Sequence, residues 1–232
     1  MPTIFEQLEE AHDNLLSRLR QYEAYDEGHR FSWPNYVFRS SSFRRAHLDI
    51  VDARDTKGLY MLHLTVMPHL DDPSPIFGFD IIAGPRKVTG AFHDFSPTDP
   101  THAMLGWFRD RVSGYTWSKE RELPEWARNI FSRSMVAAGN IQDSQELATV
   151  LKLVTENLDY YLKEVGRERI GEYTQRQDWY CQNQKKNPHT PRVMAALGLD
   201  PAEVETFIHT CLFPEVGTGV AHARDVGSDG EA

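Results

Sequence analysis

The chain of 232 residues has only two cysteines, Cys181 and Cys211. They lie far apart without a CxxC spacing, so neither a disulfide framework nor a thiolate metal cluster is supported, and small buried thiols are expected. No apolar run approaches the roughly 20 residues of a membrane helix. The opening MPTIFEQLEE lacks the basic and apolar regions of a secretory signal, and a cytoplasmic, reducing setting is expected. Positive charge is also short: 25 Lys and Arg against 34 Asp and Glu leave a net charge of −9. Such a balance argues against a nucleic-acid binder, which needs a concentrated basic face to displace counterions. Local basic clusters stand at Arg39, Arg44 and Arg45, at Arg86 and Lys87, and at Lys185 and Lys186. Each reads as a solvated face, with docking of an acidic partner left open.

Signatures of bound cofactors are missing as well. No GxGxxG follows a strand, no GxxxxGKS/T forms a phosphate loop, no HExxH or GxSxG occurs, and no Cys cluster could hold iron and sulfur. If the chain is an enzyme, it supplies protons and geometry while another molecule brings the electrons or the reactive group.

What is present is ordered along the chain. Apolar residues return at helical spacing over 4–22 (Phe5, Leu8, Leu15, Leu16, Leu19) and predict an amphipathic helix. Strands are predicted at 36–39, 44–51, 59–67, 76–83 and 88–96, and the breaks DTKG, PHLDDPSP and GPRK carry the Gly, Pro and Asp of hairpin turns. Helices are predicted at 101–113, 122–138, 143–167, 172–183, 190–198 and 201–212, with Gly198 and Asp200-Pro201 as stop and start signals. Strands first and helices later indicate an α+β fold in which helices cover one antiparallel sheet. Residues 1–215 read as a single domain, and 216–232, small and polar, as a disordered tail.

Within this pattern PIFGFDIIAG, residues 75–84, reads as a strand buried on both faces, so Asp80 in its middle needs a partner or a task. Alternation along LYMLHLTVM turns His63 away from Tyr60, Leu62, Leu64 and Val66, and along RAHLDIV it puts His47 and Asp49 on one face. Three neighbouring strands thus offer Asp49, His63 and Asp80. Singly, each reads as a satisfied core group. Together they point to proton delivery, because burial raises a carboxyl pKa and a nearby imidazole can share the proton.

The stretches AHLDIV, LHLTVMPHL and SPIFGFDIIAGPRKVTGAFHDFSP, then ELPEW with IFS, YCQNQKKNPHTPRVM and FIHTCLFPEV, resemble the ferredoxin-dependent bilin reductases, especially their phycocyanobilin-forming branch. The similarity covers most of residues 40–215. It implies a three-layer α/β/α sandwich around a central antiparallel sheet, with biliverdin IXα between sheet and C-terminal helices. It implies electrons from reduced 2Fe-2S ferredoxin, no permanently bound cofactor or metal, heme oxygenase as an upstream partner, and a monomer. Asp80 and His63 match the family's catalytic Asp and His. Asp49 falls where the nearest relatives carry Glu, one methylene shorter, and Thr89 where they carry a propionate-supporting Ser. Gln184 and Asn187 match helix positions, Pro188 and His189 replace Asp and Lys, and AAG stands in place of a basic residue sought after the IFS segment. These helix-side changes resemble the divergent viral and bacterial branch that makes phycoerythrobilin, which is favoured here over phycocyanobilin. A bilin carrier without chemistry, or an α+β domain with a buried polar pair, are the rival readings.

Overall fold

The computed structural model describes residues 2–217. Its centre is one sheet laid down in chain order, each strand antiparallel to the next: β1 (Glu23–Ala24), β2 (Asn35–Arg39), β3 (Phe43–Ala53), β4 (Leu59–Pro68), β5 (Ile76–Ala83), β6 (Val88–Ser96) and β7 (Val136–Ile141). Local chemistry sets the corners. Between β3 and β4 the single turn α2 (Arg54–Lys57) closes on Gly58 at φ 60°, a left-handed conformation that costs least without a Cβ.

Alternation gives the sheet two apolar faces. One carries Tyr60, Leu62, Leu64 and Val66 with Phe77, Phe79 and Ile81, and packs on α1 (Ile4–Leu19), α3 (Ala103–Val112) and α5 (Ser144–Glu164). In α1 the predicted stripe faces inward, burying Leu8, Leu15, Leu16 and Leu19; burial of a side chain of this size contributes about 1.5–3 kcal/mol. The other face carries Val51, Met67 and Ile76, and is covered by residues of the C-terminal half. These are Ile130 beyond α4 (Glu125–Arg128), Tyr180 and Cys181 of α6 (Thr174–Gln184), Met194 of α7 (His189–Ala196) and Val204 of α8 (Pro201–Thr206). A π-helix, Phe207–Leu212, continues α8 and adds Phe207, Ile208 and Cys211. The result is the expected α/β/α sandwich.

The helix predicted over 122–138 is not formed. Its first part shrinks to the four residues of α4, and its last part is β7, paired with β6 through Phe92↔Ala137 and Gly90↔Gly139. Alanines at 137 and 138 favour a helix locally, but the open edge of β6 offers a full ladder, and tertiary pairing outweighs propensity. The two-residue β1 was not predicted either. The basic cluster at 39–45 is no solvated face: Arg45 is 3% exposed, bonded to both carboxylate oxygens of Glu27 and to the Cys211 carbonyl, while Arg44 donates to Gln177. Both cysteines are buried and unpaired, as expected. Of the predicted tail, 218–232 lies outside the described residues, and the amides of Val216 and Gly217 donate to the Asp178 carboxylate. Among the described residues no helix is long and apolar enough to cross a membrane.

Candidate functional site

Strand register builds the site. Asn35, Asp49, His63, Asp80 and Phe92 stand side by side across β2 to β6, and Val37, His47, Thr65, Gly78 and Asp94 form the next row. Cross-strand neighbours share a face, and this one lies beneath the C-terminal helices, with His63 edge-on to Phe213 at 5.9 Å. The three ionisable groups singled out in the sequence are therefore one contiguous line.

The centre of the line is His63. Its Nδ1 lies 3.8 Å from Asp80 Oδ1, within ion-pair range but too far for a hydrogen bond. Its Nε2 lies 2.8 Å from the Thr65 hydroxyl. Against expectation, β5 is sealed on one face only: Phe77, Phe79 and Ile81 are buried, whereas Gly78, Asp80 and Ile82 are half-buried. The Asp80 side chain keeps 34% of its surface accessible. The cause is positional, since α6 covers the Gly78 row, where the Tyr180 hydroxyl lies 3.5 Å from the point a Cβ on Gly78 would occupy. The row of Asp80 lies one step further along the strands.

Asp49, on the other side of His63, has the opposite surroundings. It is 3% exposed, its Oδ1 accepts the Trp33 indole N–H at 2.6 Å, and burial pushes its carboxyl up to about 7. The adjacent His47 is fully buried, 2.6 Å from Asn35 Oδ1 and 3.6 Å from the Cys211 sulfur. Burial holds its imidazole well below the ordinary range, so it stays neutral, with its ring 6.0 Å from that of His63. In the next row Asp94, the first residue of DFSP, accepts from the hydroxyls of Ser96 and Ser132 and from the Ser132 amide. It thereby ties the segment after α4 to the sheet floor.

The helix-side residues are more dispersed. Gln184 donates to the Tyr180 hydroxyl at 2.8 Å, and burial raises that hydroxyl's pKa above its usual value. Asn187 accepts the His189 amide at 3.0 Å where α7 begins, and His189 is exposed. No described contact joins Asn187 or His189 to the Asp80 line. Thr89 occupies a β-bulge: Ala83 pairs with Val88 but Ile82 with Gly90, which leaves Thr89 as the extra residue. Its hydroxyl donates to the Ile82 carbonyl at 3.0 Å.

One cation escaped the sequence reading. Arg121 donates from Nη1 to the Thr89 carbonyl at 2.6 Å and holds its guanidinium 5.9 Å from the Phe92 ring centre. Its stem crosses Gly139, where an added Cβ would meet its Cγ at 2.8 Å and Cδ at 2.9 Å. A basic group was sought after IFS, where AAG stands, whereas the structure brings one from the residue just before ELPEW. It has no carboxylate partner among the described residues. A hollow of about 390 Å³ beside Trp117 and Glu146 touches none of these groups, and the convergent polar chemistry makes the Asp49–His63–Asp80 line the candidate site instead. Among the described residues no cluster of three or more His, Cys, Asp or Glu could hold a metal.

Comparison with known proteins yields concordant matches. The family described as ferredoxin-dependent bilin reductase matches residues 4–214. A phycocyanobilin:ferredoxin oxidoreductase of Synechococcus sp. strain CC9605 is 31% identical over 206 residues, covering 84% of this chain and 81% of the relative. The solved structure of PcyX matches with a TM-score of 0.63 at 32% identity, covering 90% of this chain and 99% of the other. Tomato phytochromobilin synthase, solved in complex with biliverdin, matches with a TM-score of 0.67, covering 90% of this chain and 83% of the other. Its identity of 13% makes this last likeness one of fold alone.

Proposed function

The chain belongs to the ferredoxin-dependent bilin reductase family, and from that premise we propose that it reduces biliverdin IXα to a phycobilin by single-electron, proton-coupled steps. Phycoerythrobilin is the favoured product over phycocyanobilin, reached through a two-electron dihydrobiliverdin intermediate. The observation that carries the reading is the line of Asp49, His63 and Asp80, in register on the face beneath the C-terminal helices, with Asp80 its open member.

In this reading the bilin lies on the sheet face with its pyrrole nitrogens near Asp80, which acts as the acid toward the pigment. Protonation lowers the cost of electron uptake. Reduced ferredoxin then delivers electrons one at a time, and the chain's own residues relay protons from Asp80 and His63 to the methine and ring carbons. Four electrons and four protons convert biliverdin into either phycobilin. A substrate propionate would be taken by the Arg121 guanidinium beside Thr89, as a charge-assisted pair. Gln184, Asn187 and His189 would meet the pigment from the helix side, and Asp49 from β3.

The test is an anaerobic mixture of the protein with biliverdin, ferredoxin and a reductant, followed by absorbance, with the products separated by chromatography. Transient radical absorption and a blue-shifted four-electron product are expected. Asp80→Asn should bind biliverdin with little change yet lose turnover by roughly 10²-fold or more, the scale of a general acid. Binding without reduction by the wild-type protein marks a carrier and ends the enzymatic reading.

A further inference from the structure

Nothing in the sequence reading gives Trp33 a role, yet it touches the buried end of the site line. Its indole N–H donates to Asp49 Oδ1 at 2.6 Å. The ring cannot easily turn away: it is stacked on Phe31 with centroids 5.4 Å apart and meets Phe207 of the π-helix edge-on at 5.6 Å. Trp33 is 8% exposed, so this bond is shielded from water.

An indole N–H only donates. When Asp49 is protonated, its carbonyl oxygen accepts far better than its hydroxyl oxygen, so Oδ1 is then the carbonyl and the proton sits on Oδ2. Among the described residues, the buried side-chain polar atoms sealed from solvent without a partner are Arg45 Nη1, His47 Nδ1 and Asn157 Oδ1. Asp49 Oδ2 is not among them and bonds no described residue, so it keeps some contact with solvent. No described group lies within hydrogen-bond distance of it. Arg45, on the same strand, is held by Glu27 and the Cys211 carbonyl, and His47 is held by Asn35. His63 lies between Asp49 and Asp80, and the Cys211 thiol, pushed up to about 12 by burial, stays protonated.

We propose that Trp33 is a positioning residue, which fixes the Asp49 proton on Oδ2 and aims it past His63, so that Asp49 serves as a second acid for the later of the two reductions. This rests on the biliverdin-reducing reading above. The shorter Asp then gains in definition what it loses in reach: one oxygen is anchored and one is free. Asp80 serves the first reduction from the open side of the imidazole, and Asp49 the second from the closed side.

Trp33→Phe keeps the ring between Phe31 and Phe207 and deletes the donor. Biliverdin binding and the first two-electron step should change less than about 2-fold, while the ratio of four-electron to two-electron product falls about 10-fold, the scale of one lost hydrogen bond. In an Asp49→Asn background the same change should add nothing, because the effect runs through Asp49. An unaltered product ratio, or an equal fall in both backgrounds, overturns the proposal. Should Trp33→Phe fail to fold, infrared spectra of the wild-type protein decide: the Asp49 carbonyl band, assigned by its loss in Asp49→Asn, must lie where hydrogen-bonded carbonyls absorb, and a free-carbonyl band refutes the anchoring. Failure of the wild-type protein to reduce biliverdin at all sinks the parent reading and is recognised by the absence of any product.

Discussion

Buried histidines at single positions set how this molecule responds to acid. His93, on the α-helical side of the same strand as Asp94, donates from Nδ1 to the Gly78 carbonyl at 2.8 Å and is 2.9 Å from the Asn157 amide nitrogen, which donates to its Nε2. Both ring nitrogens are thus satisfied by the neutral form. Burial holds its pKa down at about 4, against about 6.5 for an unfolded histidine. Its folded pKa is depressed, so as pH falls below about 6.5 the unfolded chain takes the proton first, and stability is lost down to about 4. His47 acts in the same sense. Asp49 and Asp94, raised to about 7 and about 6 by burial, act oppositely, losing stability as pH rises from the unfolded carboxyl value through those values. The opposing groups offset one another between pH 7 and pH 5, so denaturant melts at the two pH values should show the His93 contribution as a difference: relative to the wild-type protein, His93→Gln gains about 2 kcal/mol on going to pH 5. An identical pH response in the variant would remove His93 from the acid response.

At the scale of elements, β6 and β7 form a shelf. Gly90 pairs with Gly139, the Arg121 stem lies across Gly139, and Thr89 at the bulge offers its own carbonyl to the guanidinium. A side chain on Gly139 must displace a flexible arm rather than backbone, so Gly139→Val should fold and misplace the charge. The expected outcome is roughly 10-fold weaker binding of biliverdin with unchanged binding of its dimethyl ester. Equal losses for both ligands would show that Arg121 meets no carboxylate. This shelf was the least legible part of the sequence. Asp49, His63 and Asp80 could be found because period-2 alternation states the face of each residue in a confident strand, and a charge among β-branched neighbours stands out. Arg121 could not, because its position depends on an edge pairing that local alanines contradict and on two glycines whose purpose shows only when β7 is in place. Trp33 lies in a loop, where no periodicity says what a side chain faces.

Charge belongs to the whole molecule. The net charge is −9, yet Arg86 and Lys87 are exposed on the β5–β6 turn and Lys186 lies on the exposed Trp179 ring. Arg44 and Arg45 are committed inside, and Lys185 is bonded to Glu215, so of the three basic clusters the Arg86–Lys87 turn is the one with both cations exposed. Raising salt from about 0.05 to 0.5 M, which shrinks the Debye length several-fold, should slow ferredoxin-driven turnover about 10-fold and biliverdin binding far less. Arg86→Glu with Lys87→Glu should remove most of that sensitivity. A salt-independent rate would place the electron entry elsewhere.

The order in which the strands lie has a bearing on synthesis. Because each strand pairs with the one before it, the strands up to β6 can zip in succession while the chain is still leaving the ribosome, with low loop-closure cost at each addition, and β7 joins them across the longer connection that holds α3 and α4. The helices from Thr174 onward emerge last, so the floor exists before its roof. For that interval most of one apolar face is bare to water or to any chaperone at the exit port, and a translation pause ahead of Thr174 would prolong the hazard.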